Sequence, residues 1–281
     1  MRSLEPFISK KSDYYNYQPS LTGSRTFFYP IAIGHFYYEP GYKQFRNSFD
    51  SFLLMYVASG SLKVKFDNQI VNASENNFVL LDCYRPHGYF TDTDCECLWF
   101  HFDGPVARGY FSQIIEKFGM IFTVSNGLDI VQKMQTLYNI FRNNQIVREP
   151  AVSKLISDIL TIFLLYENSS EERKHTNSID EVLTYINEHF SESVTIEKLA
   201  EQCSLSPYYF IRLFKKQTGF TPHEYIVNTR LNAAKYMLKS TDQNIKDICF
   251  STGFSSESVF CTAFKKNVGQ TPAQYRSQIN K

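Results

Sequence analysis

FIRLFKKQTGFTPHEY, residues 210–225, returns fifty positions later as FCTAFKKNVGQTPAQY, residues 260–275. Eight of the sixteen positions are identical: Phe210/Phe260, Phe214/Phe264, Lys215/Lys265, Lys216/Lys266, Gly219/Gly269, Thr221/Thr271, Pro222/Pro272 and Tyr225/Tyr275. Self-similarity at a fixed period marks a repeated structural unit. Upstream the correspondence continues at a shift of forty-nine, where Ile196, Leu199, Ala200 and Leu205 fall on Ile245, Ile248, Cys249 and Phe254.

Each copy reads as helix, tight turn, helix. In the first, Ile196, Leu199, Ala200 and Cys203 recur at helical spacing, and Ser206-Pro207 then supplies a capping hydroxyl and a proline at the first helical position. Phe210, Leu213 and Phe214 give the second helix its buried face. Gly219 ends it, and Thr221 to Glu224 makes a capping box that opens a long connecting helix through Tyr236, Met237 and Leu238. The second copy repeats these events, with helices predicted over 244–251 and 256–267 and Gly253 in the turn, where a left-handed residue is easiest to place. Ser204 holds that position in the first copy.

Such a pair reads DNA when its second helix exposes a side opposite the packed face, with bases near its end to meet phosphates. The first copy presents Tyr208, Ile211, Arg212 and Lys215; the second presents Glu257, Ser258, Cys261, Thr262 and Lys265. Arginine can bond guanine bidentately, Ile211 can meet only a thymine methyl, and Thr262 is a weaker reader than Arg212. From Ser206 to Thr241 six basic residues face the single acid Glu224, a local charge of +5 in a chain whose net charge is +1. Two blander readings stay open on these grounds: a solvated helix face, and a helical interaction module that does not touch DNA.

The strings IDEVLTYINEHFSESVTIEKLAEQCSLSPYYFIRLFKKQTGFTPHEYIVNTRLNAAKYML and ICFSTGFSSESVFCTAFKKNVGQTPAQYR resemble the AraC/XylS family of bacterial regulators over residues 178–278. The resemblance is carried by Arg230-Leu231 with Ala234, by Gly253-Phe254, and by Phe264-Lys265-Lys266 with Gly269, Pro272, Tyr275 and Arg276. It implies two recognition helices, held by the connecting helix, entering successive major grooves on one face of duplex DNA. Three positions depart from the family pattern: Cys249 for the usual alanine, Val259 for an aromatic, and Thr262 for a frequent arginine. The last puts base reading by the second unit in doubt.

At 281 residues the chain exceeds the usual single-domain size of about 100–200, so two domains are expected. Residues 25–103 run in short β-rich stretches such as FLLMYVASGSLKVKF and NNFVLLDC, punctuated by Gly60, Asp67-Asn68 and Arg85-Pro86, which predicts an all-β barrel or sandwich. After Gly104-Pro105 the pattern turns helical, in ARGYFSQIIEKF, GLDIVQKMQTLYNIF and VSKLISDILTIFLLY, fit for an antiparallel pair and a dimer seam. The polar ENSSEERKHTNS reads as a linker. The expected fold class is therefore α+β in two domains. Within it the family resemblance implies a cupin-like β-barrel over 1–105, a helical dimerisation segment over 106–168, a linker over 169–178, and an all-α DNA-binding domain over 179–278 with helix-turn-helix units at 196–217 and 244–267.

This order resembles the sugar-responsive members of the same family, whose front domain is a cupin-like barrel. DSFLLMYVASGSLKV, the turn Arg85 to Tyr89 and LWFHFDG stand where the family has related strings. By that match Arg46, His87, Tyr89 and Trp99 are the candidates for a ligand pocket. An aromatic face stacks on the apolar side of a sugar ring while arginine and histidine bond its hydroxyls. Trp99 also reads as barrel filling, and His101 as a packing residue.

The resemblance implies a regulator, an activator of carbohydrate-utilisation genes, acting as a homodimer on double-stranded DNA with a sugar effector and RNA polymerase as partners. The alternatives are the same regulator answering a non-sugar signal, and a metal-dependent cupin enzyme fused to a DNA-binding domain. Against the enzyme, there is no His-x-His pair, P-loop, GxGxxG, GxSxG or HExxH; His87, Cys95, Cys97 and His101 make a metal site only by assuming the fold. No catalytic residue, metal or cofactor is expected. The six cysteines lack the paired spacing of structural zinc or the density of a disulfide scaffold and read as reduced thiols. The N-terminus has no signal-peptide pattern, and the longest apolar run, Phe52 to Ala58, is far short of a membrane span, so a cytoplasmic location without membrane contact is expected.

Overall fold

In the computed structural model, which describes residues 5–67, 69–125, 127–166 and 170–278, the fifteen residues Phe52–Phe66 form one strand shared by two sheet layers. The chain divides into two compact units, Met1–Tyr166 and Glu167–Lys281. The first holds β1 (Asp13–Asn16), α1 (Leu21–Thr26), β2 (Tyr29–Tyr38), β3 (Lys43–Arg46), β4 (Phe52–Phe66), β5 (Gln69–Ser74), β6 (Phe78–Asp82), β7 (His87–Phe90), β8 (Cys95–Asp103), α2 (Ala107–Phe118), β9 (Ile121–Phe122), α3 (Gly127–Arg142) and α4 (Glu149–Leu165). One layer runs β1-β2-β8-β4-β6-β9; the other joins β3 to β7 and β7 to the far half of β4, which also pairs with β5. The strand changes layer at Gly60, whose φ of +76° lets the backbone bend where a Cβ would sit 2.1 Å from the Asp94 carbonyl oxygen. The pairing path ends at β1 and β9 without closing on itself, so the barrel expected from the sequence is corrected to an open pair of layers sharing β4.

The apolar run of β4 is explained by two cores. Phe52 and Leu54 face one with Phe100, Phe102 and the helices; Leu53 and Met55 face another, between the layers, with Phe36, Tyr89 and Trp99. Both faces of the strand are buried, so period-2 alternation of polarity disappears. The helices expected to form a dimer seam over 106–168 place Ile114, Met134, Leu137, Ile156 and Phe163 in the first of these cores, against the sheet.

The second unit is helical: α5 (Ser170–His189), α6 (Ile196–Gln202), α7 (Pro207–Thr218), α8 (Pro222–Ser240), α9 (Ile245–Ser251), α10 (Glu257–Val268) and α11 (Pro272–Ser277). Of the expected linker 169–178, position 169 lies outside the described residues and 170–178 are the first part of α5. The caps follow the sequence: side chains of Thr195, Ser206, Thr221, Asn244, Ser256 and Thr271 each accept from a first-turn backbone N–H, with capping boxes at Thr221/Glu224 and Thr271/Gln274. Gly219 and Gly269 close α7 and α10 at φ +78° and +83°. Two separate cores result. Phe210 and Phe214 centre one with Ile226; Phe260 and Phe264 centre the other with Leu231, Ala234 and Leu238. Among the described residues no helix is long and apolar enough to cross a membrane.

Candidate nucleic-acid interface and ligand cavity

Helix α7 buries Phe210 and Phe214 completely and turns Tyr208, Ile211, Arg212 and Lys215 to solvent, Tyr208 with 81% of its surface exposed. Helical geometry dictates the division: residues three and four apart share a face, so the phenylalanine seam leaves these four on the opposite side. The Arg212 guanidinium lies over the Tyr209 ring at 5.7 Å. Among the described residues neither Arg212 nor Lys215 has a carboxylate within ion-pair distance, which leaves both heads open to a polyanion. Tyr209 was not singled out in the sequence; its position next to the arginine in space, one turn back on the same helix, was the available signal.

On α10 Glu257, Ser258, Thr262 and Lys265 are exposed, while Phe260 and Phe264 are buried. Cys261 departs from the expected surface, being half-buried and packed against the core of Leu231, Phe260 and Phe264. The turn before α10 is at Gly253, φ +85°; the equivalent Ser204 before α7 takes φ +54°, a left-handed conformation uncommon outside glycine. Segment 190–192 is fixed between this turn and α8, where the Arg230 Nε and Nη2 atoms donate to the carbonyls of Phe190 at 2.7 Å and Glu192 at 2.8 Å.

In the first unit Arg46, Tyr89 and Trp99 line one cavity of about 200 Å³ between the sheet layers, together with Tyr42, Phe49 and His101. Trp99 projects from β8, opposite Gly34 on β2; a Cβ at Gly34 would stand 2.5 Å from the indole, so the glycine makes the room the ring occupies. The indole Nε1–H is buried without a hydrogen-bond partner among the described residues. Tyr42 stacks on Tyr89 with ring centroids 6.3 Å apart. His87 is placed elsewhere: it lines a neighbouring recess of about 530 Å³ that shares Arg46 with the cavity.

His101, read from sequence as packing, both packs and lines the cavity. Ser51 Oγ donates to the Phe49 carbonyl at 3.0 Å and lies 2.9 Å from His101 Nδ1, so this network assigns the imidazole proton to Nδ1 and leaves Nε2 an acceptor. Burial, with the nearby Arg46 charge second, holds the His101 pKa down at about 3, so the ring is neutral at physiological pH. His87 is likewise lowered by burial; its Nδ1 donates to the Arg85 carbonyl at 2.8 Å, and its buried Nε2 has no partner among the described residues. Donors on Arg46 and Trp99 therefore stand beside imidazole acceptors and aromatic faces, a set matched to a ligand whose groups both donate and accept. Cys95 and Cys97, candidates for a metal only if the fold allowed it, lie buried with sulfurs 3.6 Å apart. Among the described residues no group of three or more His, Cys, Asp or Glu side chains is placed to hold a metal ion.

Two family models match the chain. The AraC-like ligand binding domain model matches residues 30–183, and a helix-turn-helix domain model matches 199–278. The bifunctional transcriptional activator/DNA repair enzyme AdaA of Bacillus subtilis is 41% identical over 38% of this chain and 51% of its own length. The MmsAB operon regulatory protein of Pseudomonas aeruginosa is 24% identical over 89% of this chain and 83% of its own. The chain thus spans about half the length of the first of these relatives. Among solved structures, the DNA-binding domain of AdpA in complex with a target DNA is 28% identical, covering 36% of this chain and 91% of that one, with a TM-score of 0.35.

Proposed function

The chain belongs to the AraC family, with its ligand-binding domain model matched over more than half of the length, and on that premise we propose that it is an effector-controlled transcriptional regulator that binds duplex DNA. The observation that carries the reading is the doubled helix face: α7 and α10 bury phenylalanine pairs fifty residues apart and expose Arg212 with Lys215, and Thr262 with Lys265. In this reading α6–α7 and α9–α10 are the two helix-turn-helix units, joined by α8. Tyr208, Ile211 and Arg212 meet base edges, Lys215 and Lys265 meet phosphates, and Glu257, Ser258 and Thr262 face the second groove with Cys261 at its margin. Footprinting on DNA flanking the protein's own gene, with and without candidate sugars, tests it; protection no different from random DNA under every condition overturns it.

Arg212→Ala is expected to weaken binding to the cognate site by about 1–3 kcal/mol and to relax sequence preference, whereas Lys215→Ala weakens all duplexes alike and lowers the salt slope by about one. Titration of cognate and random duplexes across salt concentrations measures both. Equal loss on the two DNAs for Arg212→Ala would remove it from base reading.

The effector reading places a sugar in the cavity of Arg46, Tyr89 and Trp99, with His87 reached through the shared Arg46 and with His101 added. The paired donors and acceptors and the stacked aromatic walls support it. We assign residues 1–105 to effector binding, 106–168 to dimerisation, 169–178 to the connection and 179–278 to DNA. The exposed Leu128, Ile146 and Leu165 support a homodimer seam in the helical segment. The description of AdaA as a transcriptional activator supports activation, for which contact with RNA polymerase is the route we propose. The sugar shifts the regulator only through different affinity for two arrangements of the protein.

A further inference from the structure

The recess beside the cavity is furnished for an anion. Its walls carry Arg46, Lys65, Arg85 and His87, with Asp67 as the acid among its lining residues. Asp67 is paired with Arg85 at 2.6 Å, and among the described residues Arg46 and Lys65 have no carboxylate within ion-pair distance. Neither of these two charges is met by a direct ion pair among the described residues; Glu5 lines the adjoining cavity with Arg46, its carboxylate accepting from the Tyr42 hydroxyl. Each is braced on a ring, Arg46 over Phe49 at 5.0 Å and Lys65 over Phe45 at 5.7 Å, which limits the freedom that binding would otherwise have to remove.

A second observation points to a ligand in the same recess. His87 is only 4% exposed, yet its Nε2 has no partner among the described residues. A buried polar atom left unpaired costs free energy that a ligand can recover. The β3–β7 register sets His87 directly across from Arg46, and the β7–β4 register sets it across from Phe66, so the histidine and the arginine share one rung of the sheet. Arg46 alone of the recess cations also lines the aromatic cavity.

We propose that the recess is a phosphate subsite and that the effector is a phosphorylated sugar, its ring in the cavity of Trp99, Tyr42 and Tyr89 and its phosphate monoester among Arg46, Lys65 and Arg85. This rests on the sugar reading above and narrows it. A phosphate monoester carries about −1.5 to −2 at neutral pH and offers three acceptor oxygens, which matches two cations without a direct ion pair, whereas a carboxylate would match one. With Nδ1–H committed to the Arg85 carbonyl, the His87 Nε2 is an acceptor, and the phosphate meets it through the P–O–H of its singly ionised form, whose proton passes to Nε2 as the monoester becomes fully ionised against the cations.

Isothermal titration of the full chain at fixed, low ionic strength tests this with aldopentoses and aldohexoses, their terminal phosphates, the matching uronic acids and inorganic phosphate. At least one sugar phosphate is expected to bind roughly tenfold or more tightly than its parent sugar, a difference of about 1.4 kcal/mol. Lys65→Gln, at an exposed strand position, should bring that ratio toward one. If parent sugar and phosphate bind equally, the subsite falls and the sugar reading stands. Equal binding of uronic acid and sugar phosphate overturns the choice of phosphate. Inorganic phosphate binding as tightly as the sugar phosphates overturns the bridging of recess and cavity. No binding by any member overturns both the subsite and the sugar reading.

Discussion

Gly253→Ala is expected to destabilise the Glu167–Lys281 unit by roughly 2–4 kcal/mol. Two costs add at this position. At φ +85° an alanine bears left-handed strain of about 1–2 kcal/mol. Its Cβ would also stand 2.7 Å from the Ser191 carbonyl oxygen and 2.8 Å from the Ser191 Cα, backbone atoms that Arg230 holds through the carbonyls on either side. Gly219→Ala isolates the first cost, since φ is +78° there with nothing within 4 Å of the added carbon. Ser204→Ala should be near neutral, because that left-handed position already carries a Cβ. Urea unfolding of the full chain, followed through the transition of the helical unit, measures all three. A Gly253→Ala loss no larger than that of Gly219→Ala would show that segment 190–192 yields freely.

The second large effect is a dependence of stability on pH through His101. In the folded chain its pKa is about 3; unfolded, it returns to about 6.5. Between those values the unfolded chain binds the extra proton, so stability is complete above pH 6.5 and falls as the pH is lowered. The contribution lost from this one group is roughly 2 kcal/mol by pH 5 and roughly 4 kcal/mol by pH 3. Carboxylates titrate in the same range, so the difference between the wild type and His101→Asn is the informative curve. Asparagine can keep the donor to Ser51 but cannot take the proton, and the variant's stability should decline less steeply between pH 7 and 5. Parallel curves would return His101 to an ordinary imidazole.

What the sequence disclosed and what it withheld divide by distance along the chain. The caps, the phenylalanine seams and the left-handed turns of α6 to α11 depend on residues three to five apart, and the repeat displays each of them twice. In the sheet, β2 pairs with β8 across some sixty residues and β4 serves two layers, choices that composition does not encode. The same limit applies to the cavity. Arg46, Tyr89 and Trp99 come from three strands, and which of them share a space with His101 rather than His87 is decided by register and by the small size of Gly34. Cys261 is half-buried for a smaller reason: at the border of a helix face, the direction of one side chain settles exposure, and spacing alone does not give it.

Helix α8 contributes Ile226 to one core of the helical unit and Leu231, Ala234 and Leu238 to the other. It therefore acts as a ruler whose divisions are residues. An α-helix advances about 1.5 Å and turns about 100° per residue, so a single insertion between Ile226 and Leu231 would swing one core around the other by more than a quarter turn. Exposed side chains on α7 and α10 can be exchanged without entering either core. The count of residues in α8 cannot be altered so freely, because it sets the phase between the two faces before any DNA is met.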